Sequence, residues 1–467
     1  MANKRVLLTG ASGSMGNAAL RELLDRRDRY DIVLLLRPSP KNKEAFARYA
    51  GEPGVRIVWG DLSKADDVRQ AVDGVDYVLH PAAMIAPAAD HHPQQARQSN
   101  YEGTVNLVEA IKKQPDGGAH VRFVNVCTVA AYGDRLPPNH MIRVGDPLYP
   151  SVGDYYAITK IAAERAVIEA GLKYWASMRQ TYIAIPKAWT LMDPIMFHQP
   201  LDQHIELITD ADAGYGLVQT LEVPDEFYGR VYNMSGGPSC RVVYEDYLKW
   251  SMAAFGQGDY RRVVDRNWFT LRNFHCGWYE DGDELNKHLG HWWQSLQDHQ
   301  RQVESCIPTL MKLGSKLSPA FVSRLYMKRL ADPLKWIAEG KQEIVKAFYG
   351  SLDEWKKIPA WGEPFARQHQ ANERPPLPTT PEQWAQSRGG ELRERGDGKH
   401  KWRCGFGHEF EASPQTIAAG HWCPQCMAPP WNYAEIAKRD PAIARLYYSN
   451  HTPAESQRVD YLYLPNE

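Results

Sequence analysis

The sequence predicts an α/β protein built on a doubly wound parallel sheet, followed by a smaller, mainly helical lobe. Three observations predict this class. Short apolar runs alternate with helical patterns from residue 5 to 130, and strands covered on both faces read as such continuous runs. A glycine-rich turn joins the first run to the first helical pattern. Residues 245–350 are mostly helical in pattern.

The elements follow from these patterns in order. Apolar runs predict strands at residues 5–8, 32–36, 56–59, 77–80, 121–126 and 176–185. Helical spacing of apolar residues predicts helices at 17–26, 104–113 and 156–170. After residue 190 the strands become harder to recognise, because Pro and Gly interrupt the pattern. The chain is long enough for two or three domains of ordinary size.

The glycine-rich turn has the form of a dinucleotide site. Glycines at its first, fourth and seventh positions let the backbone approach a pyrophosphate, which the next helix would bind through its free N–H groups. The strand before the turn and the helix after it meet the context that such a site requires. We therefore expect a Rossmann-type domain with cofactor contacts from Gly10, Ser12, Gly13, Ser14, Met15 and Gly16. A plain strand-to-helix connection is the alternative.

The ends of the next strands predict further cofactor contacts. An acid after the second strand would hold the 2′-hydroxyl of NAD, but Arg37 stands there and suits the 2′-phosphate of NADP. This favours NADP, with NAD as the alternative. Asp61, beside Leu62, can accept a hydrogen bond from the adenine amino group or cap a helix, and both interpretations stay open. Residues that let the backbone pass close to a cofactor end the fourth strand: Pro81, Ala82 and Ala83.

Tyr156 and Lys160 form the candidate catalytic pair. Four residues apart, they share one face of a helix. A neighbouring ammonium lowers the pKa of a phenol, and a positioned tyrosine can then exchange a proton with a substrate oxygen. The spacing alone is common by chance. The preceding strand favours a catalytic role for the pair. Thr128 ends that strand, and the Thr128 hydroxyl can hold the same substrate oxygen as Tyr156.

Together these motifs resemble the extended short-chain dehydrogenase/reductases of the NAD-dependent epimerase/dehydratase superfamily. The motifs that carry the resemblance are Thr9-Gly-x-x-Gly-x-x-Gly16, Gly60-Asp61-Leu62, His80-Pro-Ala-Ala83, Asn100-Tyr-Glu-Gly-Thr104, Thr128-x-x-x-Tyr132-Gly133, Tyr156-x-x-x-Lys160 and Gly229-Arg-Val-Tyr-Asn-Met-Ser-Gly-Gly237. The resemblance implies that Thr128 orients the substrate, that Tyr156 is the acid/base, and that Lys160 holds the ribose and tunes Tyr156. It also implies a homodimer formed through helices near the catalytic tyrosine. Further cofactor-binding residues expected from it are Asn100, Val126, Thr181 and Ile183.

Departures from the family narrow the expected chemistry. The 4,6-dehydratases of the family follow the catalytic threonine with an Asp-Glu pair for elimination, whereas this chain has Val129 and Ala130. Residues 179–186 lack the Arg-Pro and Tyr-Gly pairs common in the family, and residues 204–210 contain no Arg for a sugar-nucleotide diphosphate. Elimination is therefore not expected, and a nucleotide-sugar epimerase becomes the second hypothesis.

The substrate lobe is rich in aromatic residues, which favours an apolar or aromatic alcohol or ketone as substrate. The set comprises Trp189, Phe197, Trp268, Phe269, Phe274, Trp278, Tyr279, Trp292 and Trp293, with Met192, Met196 and His198 as further candidates for the pocket wall. For any single tryptophan the preferred interpretation is core packing in a helical lobe, and methionine and histidine in such positions are more often core residues.

A Cys/His pattern near the C-terminus predicts a structural zinc site. The expected ligands are Cys404, His408, Cys423 and Cys426. Thiolates and imidazole hold tetrahedral Zn²⁺, and four protein ligands leave no open position for catalysis. His400 or His421 could replace the histidine of this set. The pattern resembles a small zinc-ribbon or treble-clef domain, and its few basic neighbours do not favour nucleic-acid binding.

Composition sets the remaining expectations. The net charge of −1 produces no global field that would attract nucleic acid or an anionic membrane. No apolar stretch approaches the ~20 residues of a membrane span, and no signal-peptide core is recognised, so we expect a cytoplasmic protein. The expected parts are a dinucleotide-binding domain (1–190), a substrate-binding and helical extension (191–370) that returns to the sheet near 229–237, a linker (371–400), and the Cys/His module with its tail (401–467).

Three hypotheses follow. The first is an NAD(P)-dependent alcohol dehydrogenase or carbonyl reductase acting on a small-molecule substrate, with Tyr156 as acid/base. The second keeps the same site for an epimerase that oxidises a sugar or nucleotide sugar transiently. The third is a non-catalytic redox sensor or scaffold, against which the complete set of Thr128, Tyr156 and Lys160 argues.

Overall fold

The computed structural model describes residues 3–187, 193–310, 312, 314, 320–365 and 374–460. Its strands are Lys4–Thr9 (β1), Tyr30–Leu36 (β2), Val55–Trp59 (β3), Tyr77–His80 (β4), Arg122–Thr128 (β5), Met141–Ile142 (β6), Tyr174–Gln180 (β7), Tyr182–Ala184 (β8), His204–Thr209 (β9), Arg230–Met234 (β10), Arg241–Val243 (β11), Trp278–Tyr279 (β12), Glu391–Glu394 (β13), His400–Arg403 (β14), Glu409–Ala412 (β15), Trp431–Asn432 (β16) and Arg458–Val459 (β17).

The helices in the same ranges are Ser14–Leu24 (α1), Pro40–Phe46 (α2), Ala65–Val72 (α3), Ala88–His91 (α4), Pro93–Ala96 (α5), Gly103–Lys112 (α6), Tyr155–Ile168 (α7), Asp210–Gln219 (α8), Tyr244–Ala254 (α9), Gly282–Leu289 (α10), Leu296–Cys306 (α11), Ala320–Leu330 (α12), Asp332–Ala338 (α13), Gln342–Tyr349 (α14), Leu352–Lys356 (α15), Pro381–Ser387 (α16), Pro414–Ala418 (α17), Pro424–Met427 (α18), Tyr433–Ala437 (α19) and Pro441–Tyr447 (α20). Within these ranges every helix is too short or too polar to cross a lipid bilayer.

The centre of the protein is a seven-stranded sheet in the order β10-β7-β5-β4-β1-β2-β3. All of its pairings are parallel. The apolar runs form its inner strands because both faces are covered: α1 and α8 pack together on one side, and α3, α6 and α7 on the other. The predicted Rossmann-type class is therefore confirmed.

The order in which the chain adds strands to the sheet reverses between β1 and β4. The chain runs outward through β1, β2 and β3, and then crosses to the other side of β1 to form β4 and β5. Such a reversal leaves a crevice at the carboxyl ends of the two central strands, where ligands bind in open α/β sheets. The predicted glycine turn lies at this crevice, after β1.

The strand predicted over residues 176–185 is wrong as a single element. β7 ends at Gln180, and β8 pairs with β9 in a separate three-stranded sheet. Thr181 lies between them, where its N–H donates to the Met234 carbonyl at 3.0 Å and its hydroxyl donates to the Glu206 carbonyl at 2.5 Å. The chain therefore changes sheets here, although the apolar pattern runs on.

The predicted linker over 371–400 is also wrong within the described residues. α16 begins at a capping box, in which the Thr380 and Gln383 side chains bond reciprocally to backbone N–H groups. β13 follows and pairs with β14. A Thr followed three residues later by Gln is a helix-start signal, which the Pro-rich composition of the segment obscured.

The C-terminal residues pack back onto the rest of the protein. Arg165 of α7 donates hydrogen bonds to the carbonyls of Trp422 and Glu411 at 2.9 and 3.0 Å. Residues after the Cys/His pattern, which we expected to be a tail, share a hydrophobic core with Tyr155 and Trp336 through α19 and α20. This part of the chain therefore supports the helix that carries Tyr156.

Candidate active site

The carboxyl ends of the central strands open into a cavity of about 650 Å³. Its wall contains every residue that the sequence predicts to bind the cofactor except Asn100. We call the wall formed by residues 10–16, 35–37, 60–62 and 81–86 the cofactor half. The substrate half is the wall formed by residues 182–185, 195–199, 205–207, 244–255 and 274–276, of which only some face the cavity.

The glycine turn is shaped by close backbone contacts. A Cβ on Gly10, whose φ is +66°, would lie 2.7 Å from the Ala82 Cα atom. A Cβ on Gly16 would lie 2.1 Å from the Gly10 carbonyl oxygen. Gly13, in contrast, is open towards the cavity and precedes α1 without any side-chain cap. The free N–H groups of this helix end suit a pyrophosphate, so the turn fits a dinucleotide.

Arg37 and Asp61 lie at the end of the cofactor half where the sequence predicts the adenosine. Both line the cavity, whereas Lys41 and Lys43, the other basic residues of this loop, do not. Arg37 is exposed. One carboxylate oxygen of Asp61 accepts hydrogen bonds from the Ser63 N–H and hydroxyl at 2.9 and 2.8 Å. Asp61 therefore stabilises the turn before α3 and also faces the cavity. It does not cap the helix itself, because Lys64 is the N-cap residue of α3.

Asn100 lies behind the cavity wall. Its side chain accepts the Met84 N–H at 2.7 Å and donates to the Met84 carbonyl and the Thr159 hydroxyl at 2.9 and 3.0 Å. It thus joins the loop after β4 to α7. In the described structure Asn100 positions the wall and does not itself line it.

Thr128 and Tyr156 meet at the junction of the two halves. Thr128 ends β5, and its hydroxyl accepts the Ala130 N–H at 3.1 Å and is hydrogen-bonded to the Tyr156 phenol. Burial raises the pKa of Tyr156 above its usual value, and the hydrogen bond to Thr128 acts in the opposite direction. The protonated phenol is the form that can donate to a substrate oxygen.

Lys160 is one turn further along α7 and is only 1% exposed. Burial lowers its pKa. Its Nζ atom has no hydrogen-bond partner in the described structure, although a buried ammonium normally has several. An orphaned cation that faces the cavity beside Tyr156 fits the hydroxyl groups of a nicotinamide ribose. The tuning of Tyr156 by Lys160 stays a prediction.

Two aspartates hold the first turn of α7. Asp154 caps the helix, because its Oδ1 accepts the Ala157 N–H at 2.7 Å. Asp90 accepts the Tyr156 N–H at 3.2 Å. Burial and the nearby charge of Asp154 raise the pKa of Asp90 to about 8. Sequence reasoning missed both residues, although an Asp directly before a helix is a recognised capping signal.

Much of the described aromatic set packs in the core, as the core-packing interpretation expects, and only a minority of it lines the cavity. Phe274 and Met196 line the cavity, but Phe197, Trp268 and Phe269 lie in the core of the helical lobe. Trp278, Tyr279, Trp292, Trp293 and His198 also lie away from the cavity wall. Trp189 and Met192 lie outside the described residues. The substrate half is apolar for other reasons, since its wall comes mainly from Ile185, Ile195, Ile205, Leu207, Tyr244, Tyr247, Leu248, Met252 and Phe255.

The four predicted zinc ligands come together. The ligand atoms of Cys404, His408, Cys423 and Cys426 all lie within 4.8 Å of one another. The Cys404 and Cys426 sulfurs are 3.8 Å apart, and His408 Nδ1 lies 3.4 Å from the Cys426 sulfur. A tetrahedron with Zn–S bonds of about 2.3 Å has edges of about 3.8 Å. The donor set and its spacing therefore fit zinc.

The alternative ligand His421 has a different role. Its Nε2 lies 2.9 Å from the Glu164 carboxylate, which also accepts hydrogen bonds from Arg179 at 2.6 and 3.1 Å. The side chains of Glu164 and Arg179 are fully buried. Burial alone would raise the pKa of Glu164, but Arg179 and His421 hold it well below its usual range. This network ties the Cys/His module to α7.

Residues 6–182 match the model of the NAD dependent epimerase/dehydratase family. The chain is 31% identical to UDP-glucose 4-epimerase of Rickettsia bellii over 111 residues, which are 23% of this chain and 33% of that protein. It is 32% identical to 3-beta-hydroxysteroid dehydrogenase of Mycolicibacterium neoaurum over 175 residues, 35% of this chain and 42% of that protein. The matched segments thus span about a third to two fifths of these relatives.

Solved structures show the same fold over a longer stretch. The dTDP-glucose 4,6-dehydratase of Bacillus anthracis, in complex with NAD, superposes with a TM-score of 0.52 at 16% identity, over 65% of this chain and 97% of that one. The UDP-glucuronic acid 4-epimerase of Bacillus cereus, in complex with UDP-glucuronic acid and NAD, gives a TM-score of 0.52 at 17% identity, over 64% and 98%. At these identities the likeness is one of fold.

Proposed function

We propose that the protein is an NAD(P)-dependent dehydrogenase or reductase of the extended short-chain type that interconverts an alcohol and a ketone. One observation carries the proposal: Thr128, Tyr156 and Lys160 meet at one cavity, and the Lys160 ammonium is buried there without a partner. A purely structural lysine would be paired or exposed. The family match over residues 6–182 supports the same class.

Each of these side chains has a definite role in the proposal. A bound nicotinamide dinucleotide supplies the hydride donor or acceptor. In the reducing direction Tyr156 donates its phenolic proton to the substrate carbonyl oxygen, and in the oxidising direction it removes the hydroxyl proton. Thr128 holds the same oxygen and the phenol. Lys160 binds the ribose hydroxyls and places positive charge beside the phenol.

The charge of the wall supports an apolar, neutral substrate. Among the described residues of the substrate half that line the cavity, none is Arg or Lys. The diphosphate of a nucleotide sugar is normally bound by arginine or lysine. The epimerase alternative rests on the resemblance to UDP-glucose 4-epimerase over 111 residues. An epimerase would turn over without net change of NAD(P)H.

We propose NADP(H) as the preferred cofactor because Arg37 lines the adenosine end of the cavity and no acid faces it at the end of β2. NAD is the alternative, in view of the NAD-bound structures that share the fold. An arginine can bind a 2′-phosphate through charge-assisted hydrogen bonds.

The direct experiment is a cofactor-coupled screen of apolar alcohols, ketones and nucleotide sugars with both cofactors. Tyr156→Phe should lower kcat about 10²- to 10⁴-fold, the usual share of a general acid/base, while NADPH binding, followed by its fluorescence, stays intact. Tyr155→Phe is the matched control, because that neighbour packs in the core on the other side of α7. Unchanged activity in Tyr156→Phe would rule out the mechanism.

We also propose that the Cys/His module binds one structural Zn²⁺ through Cys404, His408, Cys423 and Cys426. The spacing of the four ligand atoms supports it. Metal analysis of the purified protein should give one zinc per chain, and Cys423→Ser should lose it. Cys306→Ser, at an exposed cysteine far from the cluster, should keep the metal. Protein isolated without zinc under metal-replete conditions would refute the site.

A further inference from the structure

Residues 272–276 form an anchored segment on the substrate half. Asn273 has a left-handed backbone with φ of +67°, which residues other than glycine adopt rarely. Its side-chain amide binds both polar groups of one residue: the Val152 N–H donates to it at 2.7 Å, and it donates to the Val152 carbonyl at 3.0 Å. Strained backbone persists where its surroundings fix it, often at functional sites. The fold therefore sets the direction of the residues that follow.

Arg272 strengthens this anchor from the other side. Its buried guanidinium donates to the carbonyls of Lys346 and Asn450 at 3.1 and 2.9 Å and pairs with Glu455 at 2.7 Å. The next residue also donates its N–H to Asp134 at 2.8 Å. Residues from distant parts of the chain thus converge to hold a segment only a few residues long.

His275 is the polar side chain that this segment presents to the cavity. Its Nδ1 lies 2.9 Å from Oδ2 of Asp154, the residue that caps α7 through its other carboxylate oxygen. His275 is thus attached to the same helix turn as Tyr156. Nε2, the other ring nitrogen of His275, is not part of this ion pair.

A carboxylate oxygen of Asp154, 2.9 Å from His275 Nδ1, favours the tautomer that carries its hydrogen on that nitrogen. In that tautomer Nε2 is a hydrogen-bond acceptor. The wall around it is apolar or carries neutral hydroxyl, thiol and amide groups. Among the described residues of the substrate half that line the cavity, His275 is the only basic side chain.

We propose that His275 is a substrate-binding residue that accepts a hydrogen bond from a second hydroxyl group of the substrate, while Tyr156 exchanges a proton with the reacting oxygen. This rests on the proposed dehydrogenase function and narrows its substrate class. The substrate is then a mostly apolar alcohol or ketone with a hydroxyl group on the side of the molecule away from the reacting carbon. Asp154 is a positioning residue, since it acts through the imidazole.

The test uses two probes, cyclohexane-1,4-diol and cyclohexanol, oxidised with NADP or NAD. The wild type should prefer the diol about 10-fold or more in kcat/KM, the worth of one well-placed hydrogen bond. His275→Asn keeps an amide near the Nδ1 position, in reach of Asp154, but removes the Nε2 acceptor. It should abolish the preference, because kcat/KM falls more for the diol than for cyclohexanol. His275→Gln reaches the Nε2 position and should restore part of the preference.

Three kinetic results would overturn the proposal: equal turnover of both probes by the wild type, an unchanged preference in His275→Asn, or an equal loss for both probes, which a merely structural role would cause. The failure of the dehydrogenase function looks different, because Tyr156→Phe would then leave the turnover of both alcohols unchanged.

A second measurement does not depend on turnover. Diethyl pyrocarbonate acylates accessible, unprotonated imidazole nitrogens, and peptide mass mapping locates the label. We expect labelling at His275 in the NADPH-bound protein and protection by the diol at a concentration where cyclohexanol does not protect. Absence of label at His275, or equal protection by both alcohols, would contradict the assigned orientation.

Discussion

The two halves of the cavity are built in different ways. The cofactor half comes from short loops that directly follow β1 to β4, and its shape depends on backbone contacts such as that between Gly10 and Ala82. The substrate half is assembled from separate segments of the chain, and its surface is made of side chains, Leu207, Met252 and His275 among them. The shape of the cofactor half therefore depends on the path of the backbone. The surface of the substrate half depends on which side chains face the cavity.

Helix α7 places Tyr156 and Lys160 at the junction of the two halves, so a change in its support should affect both. Glu164→Gln leaves the buried Arg179 guanidinium without its counterion and should cost about 3–5 kcal/mol of unfolding free energy. Thermal and urea unfolding, with cofactor titration, check this. Glu409→Gln removes a charge from an exposed ion pair with Arg393 in the Cys/His module. This control should change the unfolding free energy by less than about 1 kcal/mol.

The pH dependence of this variant has a definite sign. The folded pKa of Glu164 lies below its unfolded value. Its stabilisation is therefore complete above an ordinary glutamate pKa of about 4.3 and is lost as the pH falls through the lower folded value. The difference between wild type and Glu164→Gln should shrink as the pH drops below about 4. A constant difference would mean that the carboxylate charge is not what the variant removes.

A matched pair of glycine variants sharpens the comparison within the cofactor half. Gly16→Ala places a Cβ against the Gly10 carbonyl and should cost about 1–3 kcal/mol through overpacking. Gly13→Ala meets no closer atom than that carbonyl at 3.5 Å and should change the unfolding free energy by no more than about 1 kcal/mol. It should still weaken NADPH binding, because its methyl group would project towards the pyrophosphate. Equal stability losses in the two variants would contradict the packing described for the turn.

Removing a charge tests the adenosine end. Arg37→Ala should weaken NADPH binding about 10-fold or more and leave NADH binding nearly unchanged, because only NADPH has the 2′-phosphate. Fluorescence titration with both cofactors measures this. Lys41→Ala removes the same charge from the same loop at a residue that does not line the cavity, so it should have little effect. An equal loss for NADPH and NADH in Arg37→Ala would refute the preference for NADP.

The smallest effect is expected in the substrate half. Met196→Ala enlarges the cavity wall and should raise KM for an apolar alcohol by a few-fold, about 1 kcal/mol of lost apolar contact, with cofactor affinity unchanged. Met141→Ala, the same substitution away from the cavity, should leave KM as it is. A change in cofactor affinity in Met196→Ala would show that the two halves are not separate.

The sequence predicted most of the residues of the cofactor half that line the cavity, but it predicted few of those in the substrate half. The sequence predicts the position of the glycine turn, Gly10, Gly13 and Gly16, because such a turn depends on local backbone geometry. It also needs only a strand before it and a helix after it. Phe197 and Phe269 belong to an aromatic set for which the sequence leaves pocket wall and core packing open. Aromatic patterning does not reveal which face of a lobe is its core, and both are core residues. Asp154 and His275 are 121 residues apart in the sequence, so no local pattern could join them.

The sequence by itself determined the parallel sheet, the glycine turn, the placement of Tyr156 and Lys160 on one helix face, and the four candidate metal ligands. Each depends on residue type at short spacing, where covalent geometry leaves few alternatives. The tertiary structure alone decided that Asn100 lies behind the wall, that β7 and β8 belong to different sheets, and that the C-terminal module braces α7. These depend on packing between distant segments, because many side chains of similar polarity compete for the same buried positions and only the folded arrangement selects among them.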